Sequence, residues 1–127
     1  FKDFQLDFHP HAQKAAESAR CVREQLGIPG YWKMHDALFA HQAELSEANY
    51  KLWAREFVGL NGPLFDTCLD SGRYAKDVQA DLAYGQQLGV QGTPGFFING
   101  LELSGAQPFT AFKQVIDAEL AADAATL

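Results

Sequence analysis

From His9 to Leu88 the apolar residues recur mostly at helical spacing, and on either side of that stretch the pattern shortens towards strand-like alternation. Phe1-Lys2-Asp3-Phe4-Gln5-Leu6-Asp7-Phe8 reads as the end of a strand running into a loop. His9-Pro10-His11 opens a helix, because proline fits a first turn where its missing N–H would be unpaired anyway. Ala12, Ala15, Ala16, Ala19, Val22 and Leu26 give this helix a narrow face suited to close packing, and Gly27-Ile28-Pro29-Gly30 ends it. A second helix carries Tyr31, Trp32, His35, Leu38 and Phe39 on one face. Ser46 is a good N-cap for a third, with Leu45 and Tyr50 placed for a hydrophobic staple. Tyr50, Trp53 and Phe57 form its buried face, and Gly59 supplies a left-handed stop. Asn61-Gly62-Pro63 opens a short fourth helix bearing Phe65, Cys68 and Leu69, closed by Gly72. A fifth runs from about Tyr74 to Leu88 on a stripe of Val78, Leu82, Gly85 and Leu88.

The period then changes. Phe96-Phe97-Ile98, Asn99-Gly100 and Leu101-Glu102-Leu103 predict a hairpin, because Asn-Gly tolerates the positive φ values of a type I′ turn. A last helix begins near Pro108 with Phe112, Val115, Ile116 and Leu120 inward.

Composition narrows the function classes. With 127 residues, 10 Lys+Arg against 16 Asp+Glu and a formal charge of -6, the chain is long enough for a real core and too acidic to favour a phosphate backbone. No run of Lys and Arg exceeds two, so nucleic acid is not an expected partner. No apolar run approaches the ~18 residues of a membrane span. The first residues show no initiator Met and no signal-peptide pattern, and a start in mid-strand points to a segment preceding Phe1. His9, His11, His35 and His41 read as core or capping residues, since His9 and His11 diverge at a helix start and a metal needs at least three converging ligands. No metal and no cofactor is expected. The stripes containing Trp32, Phe39, Tyr50, Trp53 and Phe57 read as core before they read as a peptide groove.

Several separate motifs, in order, resemble one family. Gly92-Thr93-Pro94-Gly95-Phe96-Phe97-Ile98-Asn99-Gly100 looks like the cis-proline loop of thioredoxin-fold proteins. Asp3-Phe4, Leu6, Phe8-His9-Pro10-His11-Ala12, Trp32, Met34-His35-Asp36, Leu38-Phe39, Cys68-Leu69-Asp70-Ser71-Gly72 and Leu103-Ser104-Gly105-Ala106-Gln107-Pro108-Phe109 resemble bacterial DsbA-like thiol–disulfide oxidoreductases, from Phe1 to about Leu120.

The resemblance implies an α/β, thioredoxin-like fold of incomplete DsbA type in a single domain. Residues 1–9 and 74–127 would be the remnant core and residues 10–73 an inserted helical subdomain. It also implies substrate contacts at Gly92, Thr93 and Pro94, with Thr93-Pro94 cis and the Thr93 backbone open to an extended, cysteine-containing polypeptide. Family members place a Cys-x-x-Cys before the Asp-Phe-x-Leu motif, whereas the only cysteines here, Cys21 and Cys68, are not so spaced. A redox dithiol needs an acidified thiol and a resolving neighbour, so no catalytic residue is assigned and this chain is expected to be silent or nearly so. Some family members carry a structural disulfide in the insertion, which would pair Cys21 with Cys68; two buried thiols are the other reading.

The resemblance further implies a periplasmic or otherwise extracytoplasmic location. Two other functions fit the same residues: a non-catalytic module that binds peptides or itself, and a relative of kappa-class glutathione transferases or isomerases. A sheet without its central strand would leave two edges open, which predicts a homodimer, or a larger aggregate, with the Phe96–Leu103 hairpin or the Phe1–Phe8 segment in the interface.

Overall fold

The computed structural model describes residues 1–126. Its contacts divide the chain into two compact units, Phe1–Tyr84 and Gly85–Leu127. This division by compactness is separate from the one that the family resemblance implies by topology.

Unit 1 is helical. Helix α1 (Ala12–Ala40) is two helices joined at Gly27, whose φ of 67° and ψ of -161° lie outside the helical region. The expected break is there, but it is one residue wide, and Pro29 sits in the first turn of the following segment, where a missing N–H is harmless. A 3₁₀ turn (Gln42–Glu44) leads to α2 (Glu47–Ala54), which Ser46 caps by accepting the Asn49 N–H. This helix stops before Phe57, which is half-buried in the turn that follows. Asn61 caps α3 (Gly62–Asp70) in the same manner through the Leu64 N–H, and α4 (Ala75–Gln87) starts in this unit and ends just past its boundary.

The core of unit 1 lies between α1, α2 and α3, around Val22, Met34, Tyr50, Phe65 and Leu69. Tyr50 is fully buried with its hydroxyl donating to the His11 carbonyl at 3.2 Å, and Trp53 stacks on His41 with ring centroids 4.9 Å apart. Trp32 and Phe39, expected in the core, lie exposed on the outer side of α1, whose inward positions belong to Tyr31, Met34 and Leu38. On α4 the buried positions are Val78 and Asp81, while Leu88 is exposed.

Phe1–Phe8 is not a strand. The segment has no regular structure before its turn at Asp7-Phe8, and side chains rather than a ladder hold it. Its alternation fits a strand, but a strand forms only where a neighbour supplies hydrogen bonds.

Unit 2 contains β1 (Gly95–Ile98), β2 (Leu101–Ser104) and α5 (Phe109–Thr126). The two strands form one antiparallel sheet, with Phe96 opposite Leu103 and Ile98 opposite Leu101. Asn99 and Gly100, with φ of 49° and 86°, make the two-residue turn that the sequence predicts. On α5, Phe112 and Val115 are half-buried, but Ile116 and Leu120 are exposed. The described residues are therefore mostly helical with a small two-stranded sheet, and the strand expected at Phe1–Phe8 is the part of the incomplete α/β arrangement that does not form.

Candidate functional site

In unit 2 the sequence builds an open loop ahead of a hairpin. After α4 the chain closes on itself through Val90, whose N–H donates to the Gly85 carbonyl at 3.0 Å. Thr93-Pro94 is cis, and the Pro94 carbonyl accepts the Gly105 N–H at 2.8 Å, which extends the hairpin ladder by one pair beyond Gly95 and Ser104. Gln91, Gly92 and Thr93 make no hydrogen bond among the described residues, and all three are exposed. Nothing lies within 4 Å of where a Gly92 Cβ would stand. Gly92 and Thr93 thus form a stretch of free backbone that Pro94 joins to the end of the hairpin ladder. An extended chain can add to such a stretch by main-chain hydrogen bonds.

The loop contains no thiol. Cys21 and Cys68 belong to unit 1, where they form a disulfide linking α1 to α3, 1% and 2% exposed respectively. The Cys68 Sγ lies 3.6 Å from Glu24 Oε2. This is a contact and not a hydrogen bond, because a disulfide sulfur has no proton to give. Glu24 is itself held by Arg73 and by the Tyr74 hydroxyl, which donates to it at 3.1 Å. Burial, and then that bond, pushes the Tyr74 pKa up. A carboxylate beside a buried sulfur disfavours thiolate at that position, the opposite of what an attacking cysteine needs.

A second polar cluster escaped the sequence reading. Arg20 donates to Asp3 Oδ2 from Nε at 2.9 Å and from Nη2 at 2.7 Å, and from Nη2 to Asp81 Oδ2 at 2.7 Å. Asp81 Oδ2 also accepts the Asp3 N–H at 3.0 Å, and Lys2 reaches Asp81 Oδ1 at 3.2 Å. The cluster ties the N-terminal segment to α1 and α4. Tyr31 stands in the field of these charges, and burial followed by Asp3 raises its pKa. The one available signal was Asp81 itself, a carboxylate falling on an otherwise apolar side of its helix.

Comparison with known proteins agrees with the motif order. The family described as thioredoxin matches residues 1–118. Among curated proteins the chain is 43% identical over 99 residues to the sodium/proton antiporter NhaA 3 of Salinispora tropica, covering 74% of this chain. It is 35% identical over 115 residues to NhaA 1 of Salinispora arenicola and 31% identical over 113 residues to NhaA of Herminiimonas arsenicoxydans, covering 91% and 89% of this chain. These alignments take up only 14%, 17% and 18% of the relatives' own lengths. No solved structure matches the chain.

Proposed function

Because the chain belongs to the DsbA-like thioredoxin family, we propose that it is the polypeptide-holding body of a DsbA-type domain and does not itself turn over disulfides. The observation that carries this reading is the free backbone of Gly92 and Thr93 beside Pro94, in a chain whose two cysteines are both consumed in a buried bridge. Thiol–disulfide exchange begins with a thiolate, and neither sulfur is free or accessible to provide one. What the residues supply is a partner for an extended, cysteine-containing segment: the Thr93 N–H and C=O pair with its main chain, and Pro94 fixes the direction of approach.

An incomplete DsbA-type thioredoxin core with a helical insertion is the finer fold assignment that accompanies this reading. A disulfide suits an oxidising compartment, which supports an extracytoplasmic location. Among the described residues no helix is long and apolar enough to cross a membrane. The similarity to sodium/proton antiporters favours a second reading, in which the chain is a non-catalytic module carried by a transport protein.

The test uses the 127-residue polypeptide. It is expected not to accelerate insulin reduction, and turnover that vanishes in Cys21→Ser or Cys68→Ser would overturn the silent assignment. An extended cysteine-containing peptide is expected to shift the Gly92 and Thr93 amide resonances. Shifts confined to unit 1 would remove the loop as the binding site.

A further inference from the structure

Two local features set the surroundings of the buried bridge. On α1, Cys21 and Glu24 are one helical turn apart and share a face. On α3, Cys68 lies in the last turn, and the helix ends in a Schellman motif. The Gly72 N–H donates to the Leu69 carbonyl at 3.2 Å and the Arg73 N–H to the Cys68 carbonyl at 3.3 Å, with Gly72 at a φ of 64°. That reversal brings Arg73 and Tyr74 to Glu24. Arg73 holds Oε1, the Tyr74 hydroxyl donates to Oε2 at 3.1 Å, and Oε2 stands 3.6 Å from Cys68 Sγ.

The rest of this neighbourhood is basic. Glu24 lines a cleft of about 260 Å³ together with Arg20, Arg23 and Tyr74. Arg20 is matched by Asp3 and Asp81. Among the described residues Arg23 has no ion pair, and Arg73 has only Glu24. Guanidinium groups near a sulfur stabilise a thiolate and ease the opening of a bridge, whereas a carboxylate in contact does the opposite. One side chain therefore decides the sign of the field at Cys68.

We propose that Glu24 is a lock on the Cys21–Cys68 bridge, keeping it out of thiol–disulfide exchange in surroundings that would otherwise favour it. In exchange, a thiolate attacks one sulfur and bonds to it, and the electron pair of the broken S–S bond leaves on the other. Attack at Cys21 releases Cys68 as a thiolate against the Glu24 carboxylate. Attack at Cys68 brings the incoming thiolate to the same place. With a dithiol reductant, its second sulfur then displaces the first from the mixed disulfide, leaving two reduced cysteines and a cyclic disulfide. Both routes set negative charge beside a fixed negative charge, and the C-terminus of α3 adds the negative end of its dipole. A domain that holds cysteine-containing polypeptides gains from such a lock, because an unlocked bridge would compete for their thiols. The lock itself does not depend on that reading.

Reduction of the 127-residue chain by dithiothreitol under native conditions, followed by alkylation and mass measurement, tests it. Glu24→Gln keeps the shape and an acceptor oxygen but removes the charge. Its bridge is expected to open about tenfold faster, water around the part-exposed carboxylate holding the effect to that scale. Arg73→Gln breaks the same ion pair from its other end and leaves the carboxylate, so its bridge should open no faster than that of the unaltered chain. Each rate is corrected for the variant's own unfolding equilibrium in urea, and all three chains should be reduced alike once unfolded. If Glu24→Gln loses native ellipticity, Glu24→Asp takes its place. It draws the charge one methylene back from the sulfur and should still open faster than the unaltered chain. An unchanged rate in the Glu24 variant would overturn the proposal. Equal acceleration by Arg73→Gln would overturn it too, by showing the carboxylate to be a brace between α1 and α3 and nothing more. These readouts concern the bridge alone, so their failure is distinct from failure of the polypeptide reading.

Discussion

Arg20 is the residue on which the N-terminal segment depends most, because the carboxylates of Asp3 and Asp81 are both largely withdrawn from water and share its guanidinium. Removing it leaves two carboxylates facing each other with only the exposed Lys2 ammonium, on the Asp81 side, as counterion. Arg20→Ala is expected to cost about 3 kcal/mol, the scale for breaking one side of a buried pair. Urea unfolding measures it, and adding Asp3→Asn should return part of the loss. Apart from Asp81 on the apolar side of its helix, nothing local announces this cluster: an arginine in an alanine-rich helix reads as a solvated charge, and its partners lie far away in sequence. Tyr50 behaves differently, since its position on an apolar stripe made its burial legible. Burial, with Glu47 adding, raises its pKa to about 12. The unfolded chain ionises it near pH 10. The folded state therefore keeps full stability below pH 10 and loses it as pH rises from 10 towards 12. Alkaline unfolding curves should show that decline, and Tyr50→Phe should flatten it while losing about 1 kcal/mol at neutral pH for the hydrogen bond to His11.

Among the elements, those whose signals are local were the legible ones. Caps, turns and helix stops act within a few residues, and Ser46, Asn61 and Asn99-Gly100 stand where the sequence puts them. Ser46→Ala is expected to lower stability by about 1 kcal/mol in thermal or urea unfolding, the ordinary worth of a serine cap. The break in α1 is stricter. Gly27 takes a positive φ that side chains resist, and a Cβ on Gly30 would come within 2.4 Å of the Leu26 Cβ. Gly27→Ala should cost roughly 1–2 kcal/mol for the left-handed backbone, and Gly30→Ala more, because Leu26 has to move. Phe1–Phe8 misled because alternation shows that a strand is possible and not that a neighbour exists. Ile116 and Leu120 misled for the same reason on a helix: an apolar stripe names a face to be covered without supplying the cover. At the candidate loop, the cis bond at Thr93-Pro94 was legible only through family resemblance, since the local prior for any X-Pro bond is about 5–6% cis.

For the whole molecule, the bridge and the division into two units set what unfolding looks like. Cys21 and Cys68 are 47 positions apart, and closing a loop of that size is worth about 4 kcal/mol in the chain-entropy account. A Cys21→Ser/Cys68→Ser variant should lose stability on that scale in urea unfolding, and the loss belongs to unit 1, which contains both residues. The same division has an optical consequence. The protein has two tryptophans, Trp32 and Trp53, one on the surface and one stacked on His41, and both lie in unit 1. Their emission reports on unit 1, whereas far-ultraviolet ellipticity sees every helix. With no buried side chain among its described residues, unit 2 is expected to melt first, so ellipticity should begin to fall at a lower temperature than the emission maximum begins to move to the red. Superimposed curves would mean that the two units melt as one, and the gap between separate curves would give, in degrees, the range over which the fluorescent unit outlasts the silent one.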